Sequence, residues 1–313
     1  MTAETVTLTL NPALDVSTAT PRITPAHKLR CAQPRFDPGG GGINVARVIQ
    51  RLGGRALAVY PAGGSTGQRL TALLEAEGAR ALATTIAGET RESFTVTDQS
   101  DAAEYRFVLP GPVLSAAEQD RCLEAALAAG TRGGFLVVSG SLPLGVQPRL
   151  LHDLARRAKA RDLRLVIDSS GPGLAAALES GVHLIKPNLR ELSDVVGRPL
   201  PTTDERLAAC RDLIDGGGAV VIALSMGAEG ALLATRDAAW ISPGLPIEQV
   251  STVGAGDSFL GALLWVLARE GDRADGLRYA VAAGSAALLS PGTDLCRRED
   301  VLGLADQVAV SAI

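Results

Sequence analysis

The sequence predicts an α/β protein: a central, mostly parallel β-sheet flanked by helices, with a small β-sheet projecting from it. Short apolar runs at residues 135–138, 165–167, 182–185 and 220–224 each follow an amphipathic segment rich in Ala, Leu and Arg. Strands buried on both faces and joined by crossover helices require that alternation. The runs close on polar or glycine residues, Ser139-Gly140-Ser141, Asp168-Ser169-Ser170-Gly171, Lys186-Pro187-Asn188 and Ser225-Met226-Gly227. Two stretches, 17–36 and 91–109, are strand-like but lead into no helical crossover, so they are assigned to the projecting sheet.

In the first of these, His27-Lys28-Leu29-Arg30, an extended backbone places Lys28 and Arg30 on one face, because side chains alternate across a strand. An ammonium beside a guanidinium fork suits a phosphate monoester; a solvated charged face is the other reading. Arg91 opens the second stretch and could complete the clamp. There, 92–97 and 105–108 have a period of two, with Asp98-Gln99-Ser100-Asp101 as the turn. Such a sheet can close over a site and exclude water, or present a face to a second subunit.

Asp37-Pro38-Gly39-Gly40-Gly41-Gly42-Ile43-Asn44 is a glycine run opening a helix whose Val45, Val48, Ile49 and Leu52 share one face. Consecutive glycines suggest close approach of backbone to a ligand, with Asn44 able to donate and accept toward sugar hydroxyls; a flexible loop with a capping Asn competes. Asp15, just past the first strand, could reach the same sugar.

Open α/β sheets bind ligands at the carboxyl edge of their strands, where the four polar tips would gather, although each tip is also ordinary turn chemistry. Asn188 and Glu191 are three apart after Pro187, a spacing compatible with water-mediated Mg²⁺ binding and equally with a capping box.

Ser251-Thr252-Val253-Gly254-Ala255-Gly256-Asp257-Ser258 sets one carboxylate behind a glycine turn, before an apolar helix predicted from Phe259 and ended by Arg269-Glu270-Gly271. Helix N-termini bind anions through unpaired N–H groups, and Asp257 then stands where phosphate and hydroxyl meet. Asp257 as an N-cap is the competing reading.

With 313 residues, 46% of them hydrophobic, the chain suffices for one large α/β domain or two ordinary ones. The formal charge of −4, from 30 basic and 34 acidic residues without a dense basic run, argues against nucleic acid or an anionic membrane as partner. Cys31, Cys122, Cys210 and Cys296 lack C-x-x-C spacing, and Met1-Thr2-Ala3-Glu4-Thr5 lacks a secretory pattern; a reduced, cytoplasmic protein is expected. There is no G-x-x-x-x-G-K-[ST] and no G-x-G-x-x-G opening the first helix, which disfavours P-loop and dinucleotide-dependent chemistry.

Together these segments resemble the PfkB branch of the ribokinase-like sugar kinases, over nearly the whole length and most closely its 6-phosphofructokinase members. The two signatures are residues 37–47 and 251–258, supported by Lys28-Leu29-Arg30-Cys31, Tyr105-Arg106-Phe107-Val108, Ser139-Gly140-Ser141-Leu142-Pro143 and Ala282-Ala283-Gly284-Ser285-Ala286-Ala287. The resemblance implies a single ribokinase-like kinase domain over 1–313, with 17–36 and 91–109 as its lid and as the contact of a homodimer. It implies transfer of the ATP γ-phosphoryl group to D-fructose 6-phosphate, with tagatose 6-phosphate or fructose 1-phosphate as alternative acceptors and a catalytically silent phosphosugar sensor as a different class. Asp257 would be the base and Gly254, Ala255 and Gly256 the anion hole. Asp15, Gly40, Gly41 and Asn44 would hold the sugar, and Lys28, Arg30, Arg91 and Ser139 its phosphate. Lys186, Asn188 and Glu191 would serve the nucleotide phosphates and Mg²⁺, with Glu191 acting through water, and Ser225, Gly227 and Gly230 would line the ATP site. Ser251, Val253, Ala287, Ser290 and Gly292 match the region where some members bind a monovalent cation such as K⁺. Three departures stand out. The stretch 9–15 reads like the fructose-1-phosphate and tagatose-6-phosphate branches; Gly41 replaces the Lys usual in the former; and Asp294 stands where a basic residue is expected.

Overall fold

Strand β1 (Thr5–Leu8) is buried at every position, as a strand covered on both faces must be. The computed structural model describes residues 5–249, 251–290 and 294–313. After β1 come β2 (Ala13–Thr20), β3 (Arg35–Gly39), helix α1 (Gly41–Arg51), β4 (Ala56–Ala62), α2 (Gly64–Ala76) and β5 (Ala81–Thr85). β6 (Arg91–Asp98) and β7 (Glu104–Val108) are followed by α3 (Ala116–Ala129), β8 (Phe135–Ser139), α4 (Arg149–Ala160), β9 (Arg164–Asp168), α5 (Pro172–Ser180) and β10 (Val182–Ile185). The remainder is α6 (Leu189–Val196), α7 (Thr203–Asp215), β11 (Ala219–Ser225), β12 (Ala231–Ala234), β13 (Ala239–Ser242), α8 (Ala255–Leu267), α9 (Arg273–Leu288), α10 (Arg298–Ala305) and β14 (Ser311–Ala312).

The large sheet has ten strands in the order β14-β13-β12-β11-β10-β9-β8-β1-β4-β5. Pairing is parallel from β11 to β5 and antiparallel from β11 to β14. The antiparallel end is an addition to the expected parallel array. Because β1 has β4 on one side and β8 on the other, strand order reverses there, which opens a crevice at the carboxyl ends. Register brings the polar tips together: Ser139 is opposite Asp168, Lys186 N donates to Ile167 O, and Asn188 bridges to Ser225.

The small sheet runs β3-β2-β6-β7, with β2 and β6 parallel and the outer pairs antiparallel. β2 starts before the stretch 17–36 and β3 runs past it, so most of that stretch is not strand. Residues 21–34 form turns and irregular chain, and Lys28 and Arg30 lie exposed there rather than on a strand face. The chain is held locally by Ala32 N to Ala19 O and Thr18 Oγ1 to Ala32 O. The β6–β7 hairpin turns at 99–101 as expected.

Helices cover both faces of the large sheet. Ile43, Val48, Leu260, Leu263 and Leu277 pack on one, and Cys122, Leu127, Leu151, Leu154 and Leu174 on the other. Among the described residues no helix is long and apolar enough to cross a membrane.

Helix α8 can lie against α1 because Gly261 presents no side chain. A Cβ there would sit 2.7 Å from Val48 Cγ1 and 3.1 Å from Val45 O. Gly303, exposed in α10, has nothing within 4 Å of where its Cβ would stand. Gly261→Ala should therefore lower stability by about 1–3 kcal/mol through overpacking. Gly303→Ala should raise it by about 0.5–1 kcal/mol, by restricting the unfolded chain and improving helix propensity. Urea-unfolding midpoints check both, and a Gly261→Ala protein as stable as wild type would refute the close α1–α8 approach.

Candidate active site

Helix α8 starts at Ala255, with Gly254 as its N-cap at φ 76°, a left-handed conformation that glycine adopts without strain. Asp257 is thus in the first helical turn. The N-cap reading of Asp257 and the predicted start at Phe259 are both corrected: a left-handed glycine takes the cap position, and the helix gains a turn. The first N–H groups of an α-helix have no intrahelical partner, and among the described residues no side chain caps this one. The Asp257 carboxylate is left to accept a hydrogen bond from Asn44 Nδ2 at 2.9 Å.

Around this turn the strand tips form one charged group. Lys186, buried at 7% exposure, places Nζ 3.1 Å from Asp168 Oδ1. Ser139 Oγ donates to Asp168 Oδ2 at 3.0 Å. A Cβ on Gly256 would be 3.4 Å from Lys186 Nζ, so the ammonium lies directly against the helix start. Burial opposes charge on Lys186, yet Asp168, aided by Asp257 and Glu191, holds its pKa above the ordinary value. Burial raises the Asp257 carboxyl to about 7, the negative Asp168 adds to the rise, and Asn44 and Lys186 pull against it.

The glycine run is ordered. Gly39 ends β3, Gly40 caps α1 at φ 119°, and Gly41 and Gly42 begin the helix, so neither a flexible loop nor an Asn44 cap describes it. A Cβ on Gly39 would collide with the Asp15 carboxylate, and one on Gly41 with Ser139 Oγ. Asn44, 8% exposed, is held from behind by Arg47 Nη1 donating to its Oδ1 at 3.3 Å. On β2, burial pushes the Asp15 carboxyl up to about 6, and Asp37 adds to this while Arg91, Arg106 and Arg47 oppose it. Arg91 reaches Asn11 O through Nε and Nη2 and Leu109 O through Nη1, at 3.1–3.3 Å. Lys28 and Arg30, on the exposed loop, are not brought into this group.

Asn188 and Glu191 form the capping box of α6: Asn188 Oδ1 accepts from Glu191 N and Glu191 Oε2 from Asn188 N, both at 2.9 Å. They also line a cavity of about 660 Å³ with Ser170, Gly171 and Asp194. Ser225 N donates to Pro187 O, which ties β11 to this edge. Gly227 has φ 60° and open space around it. At Gly230, φ 96°, a Cβ would strike Ser242 O, so close backbone packing accounts for that glycine.

Of the cation-region residues, Ser251 N bonds to Leu288 O at 3.4 Å, drawing the stretch before α8 against the end of α9. Val253 N bonds to Ser251 Oγ and Ser290 N to Ala287 O. Gly292 lies outside the described residues. Asp294, the unexpected acid, is 3.4 Å from Arg51 and 3.7 Å from Arg35, and the following Leu295 packs against Gly254.

Sequence reasoning placed Asp168 only among the polar strand tips, without a role, and missed Asn11 as the acceptor for Arg91. The signal for Asp168 was present: it ends a strand between those that end in Ser139 and lead into Lys186.

Residues 9–300 match the pfkB family carbohydrate kinase family. The ATP-dependent 6-phosphofructokinase isozyme 2 of Mycobacterium tuberculosis (strain ATCC 25618 / H37Rv) is 47% identical over 296 residues, 95% of this chain and 87% of that protein. Its namesake from Escherichia coli (strain K12) is 43% identical over 296 residues, 94% and 95% of the two chains. The crystal structure of phosphofructokinase-2 from Escherichia coli in complex with fructose-6-phosphate has a TM-score of 0.93 at 40% identity, over 97% of this chain and 99% of that one. That protein's potassium complex and its tetrameric inhibited form match with TM-scores of 0.94 and 0.92, at 41% and 40% identity and the same coverage. Ribokinase of Arabidopsis thaliana, 19% identical with a TM-score of 0.75 over 97% of this chain and 99% of that one, shares the fold, which is ribokinase-like. Given a match over residues 9–300 and identities of 47% and 43% across nearly the whole chain, this protein belongs to the pfkB family of carbohydrate kinases.

Proposed function

We propose that this chain is an ATP-dependent 6-phosphofructokinase, transferring the γ-phosphoryl group of ATP to the 1-hydroxyl of D-fructose 6-phosphate with Asp257 as the base. The observation that carries this reading is the Asp257 carboxylate in the first turn of a helix whose N-terminus no side chain among the described residues caps, beside the buried Lys186. The two 6-phosphofructokinase relatives and the fructose-6-phosphate complex support the acceptor.

Phosphoryl transfer asks the protein for positioning and charge stabilisation rather than covalent chemistry. Asp257 takes the hydroxyl proton, and its raised pKa keeps it basic enough to do so near neutrality. The first-turn N–H groups of Ala255 and Gly256 and the Lys186 ammonium face the moving phosphoryl group. Asp15, Gly40, Gly41 and Asn44 bound the sugar; Arg91 is the cation for the sugar's own phosphate, with Ser139 at the adjacent tip. Ser225 and Gly227 border the nucleotide. Glu191 retains one carboxylate oxygen outside its capping bond and faces the cavity, a donor set suited to a hydrated Mg²⁺, which when bound neutralises the triphosphate. The adjoining stretches at Ser251, Val253, Ala287 and Ser290 suit a monovalent cation held by carbonyls, and the Escherichia coli relative's complex with potassium supports such a cation. Gly41 has no room for the Lys usual in the fructose-1-phosphate branch without displacing Ser139, which favours the 6-phosphate substrate.

The chain acts as one cytoplasmic kinase domain with the small sheet as lid and homodimer contact. Its edge strand β7 leaves Tyr105, Phe107 and Val108 exposed at 41%, 54% and 63%, too much apolar surface for a strand facing solvent alone.

Three outcomes follow. With Mg-ATP, fructose 6-phosphate should turn over faster than tagatose 6-phosphate or fructose 1-phosphate, and Asp257→Asn should cut kcat by at least about 10²-fold with little change in the KM for ATP. A protein that binds a sugar phosphate but turns over none of the three is not a kinase. Because Asp257 works ionised and its pKa lies near 7, kcat/KM should fall as pH drops through about 7 and level off on the alkaline side; a profile flat through neutrality would remove Asp257 as the titrating base. In sedimentation equilibrium Phe107→Asp should convert the wild-type dimer to monomer, and an unchanged mass would displace β7 from the interface.

A further inference from the structure

We infer that Arg47 and Glu77 are positioning residues that fix how Asn44 meets Asp257, so that the orientation of the reacting carboxylate is set from the far side of α1. This rests on the reading of Asp257 as base. Asn44 carries one amide donor group and one acceptor, and either could face Asp257. Arg47, three residues on and so on the same side of α1, removes the choice, since a guanidinium can only donate. Its Nη1 donates to Asn44 Oδ1, leaving Nδ2 to meet the carboxylate. A flipped amide would set an acceptor oxygen against the Asp257 carboxylate. The same Nη1 bonds Pro38 O at 3.1 Å, holding the start of the glycine run.

Glu77 fixes the guanidinium in turn, accepting from Nε at 2.8 Å and Nη2 at 2.6 Å in a two-pronged pair. The Arg47 side chain is 2% exposed and that of Glu77 36%, so the buried cation is neutralised from the surface. Glu77 is the C-cap of α2, which packs on β2 and β3, the strands that carry Asp15 and Pro38. Glu77, Arg47, Asn44 and Asp257 form a continuous chain of contacts from the surface to the reacting group. The other charges facing Asp257 are Asp168 at the end of β9, Lys186 after β10 and Asp15 on β2, none of which Glu77 contacts.

The test uses Glu77→Gln and Arg47→Met in the full chain, beside wild type and Asp257→Asn. One readout is kcat with Mg-ATP and fructose 6-phosphate. The other, independent of turnover, is the titration of Asp257 by carbon-13 NMR of labelled aspartate, its resonance identified by loss in Asp257→Asn. Expected are a fall in kcat of about tenfold, the scale on which a misplaced catalytic group is felt, with an unchanged KM for ATP. The Asp257 midpoint should also move to higher pH, because an oriented donor to its charged form is lost. In an Asn44→Ala background neither substitution should add further, since both act through that amide. A folded Glu77→Gln protein with the wild-type Asp257 midpoint overturns the inference, whether or not the sugar turns over. Wild type inactive on every sugar phosphate overturns the kinase reading alone. Should Arg47→Met fail to fold, Glu77→Gln, on the exposed side of the pair, still decides.

Discussion

The buried Lys186 ammonium is the constraint around which the rest of the site is arranged. A cation at 7% exposure is tolerated only with an opposite charge in contact, and Asp168 supplies it at 3.1 Å. That pairing needs β9 and β10 adjacent, parallel and in a register that ends both at one level, which the ladder from Val166–Leu184 to Ile167–Ile185 provides. Once Asp168 is fixed, Ser139 is fixed with it, and the ammonium sets the distance to Gly256. Asp257 then lies between an attracting Lys186 and a repelling Asp168, inside low-dielectric surroundings. A carboxyl whose folded pKa lies above its unfolded value stabilises the fold at low pH, and that contribution is lost as pH rises through about 7. The ionised form of Asp257 is therefore the less stable one, and a carboxyl poised at neutrality carries that cost.

The glycines of both turns have a common explanation that flexibility does not give. At Gly39 the space of a side chain is filled by the Asp15 carboxylate, at Gly41 by Ser139 Oγ, and at Gly256 it is bordered by Lys186 Nζ. Each glycine lets a chemically active group from another element approach the backbone. Of these turns' glycines only Gly40 and Gly254 need positive φ, and these are the N-caps of α1 and α8. The two helices consequently begin side by side, so Asn44 and Asp257, 213 residues apart, share a hydrogen bond.

What the sequence made legible was local. Apolar runs ending in Ser139, Lys186 and Ser225 marked the carboxyl edge because in a parallel sheet period and polarity report position directly. The turn at Gly254 was legible because a left-handed cap needs glycine. What escaped depended on pairing between distant segments. Asp168 was legible as a strand tip but not as the partner of Lys186 and Ser139, because those come from two other strands. The alternation in His27-Lys28-Leu29-Arg30 imitated a strand, but no ladder partner exists for it among the described residues, and the chain stays irregular. Strands β12 to β14 were missed because they are short and pair antiparallel at one end of an otherwise parallel array.

Asp294 shows how an acid can be accommodated where the family resemblance implies a base. An acid where a base is expected should unsettle the loop behind the Gly254 turn if its charge were isolated. Its neighbours are instead two arginines, Arg51 from α1 and Arg35 from β3, and its Oδ1 accepts from Leu295 N. Arg51 also bonds the carbonyls of Leu295 and Cys296, so the segment is held by backbone contacts as well as by charge. Leu295 rests on Gly254 and Cys296 N on Ser258 Oγ, placing this segment directly behind the first turn of α8. The sign of the charge is thus matched by its surroundings, and what must be preserved is the tie from α1 and β3 to the backing of the Gly254 turn. Position 294 meets that requirement with an acid because Arg35 and Arg51 are there to receive it.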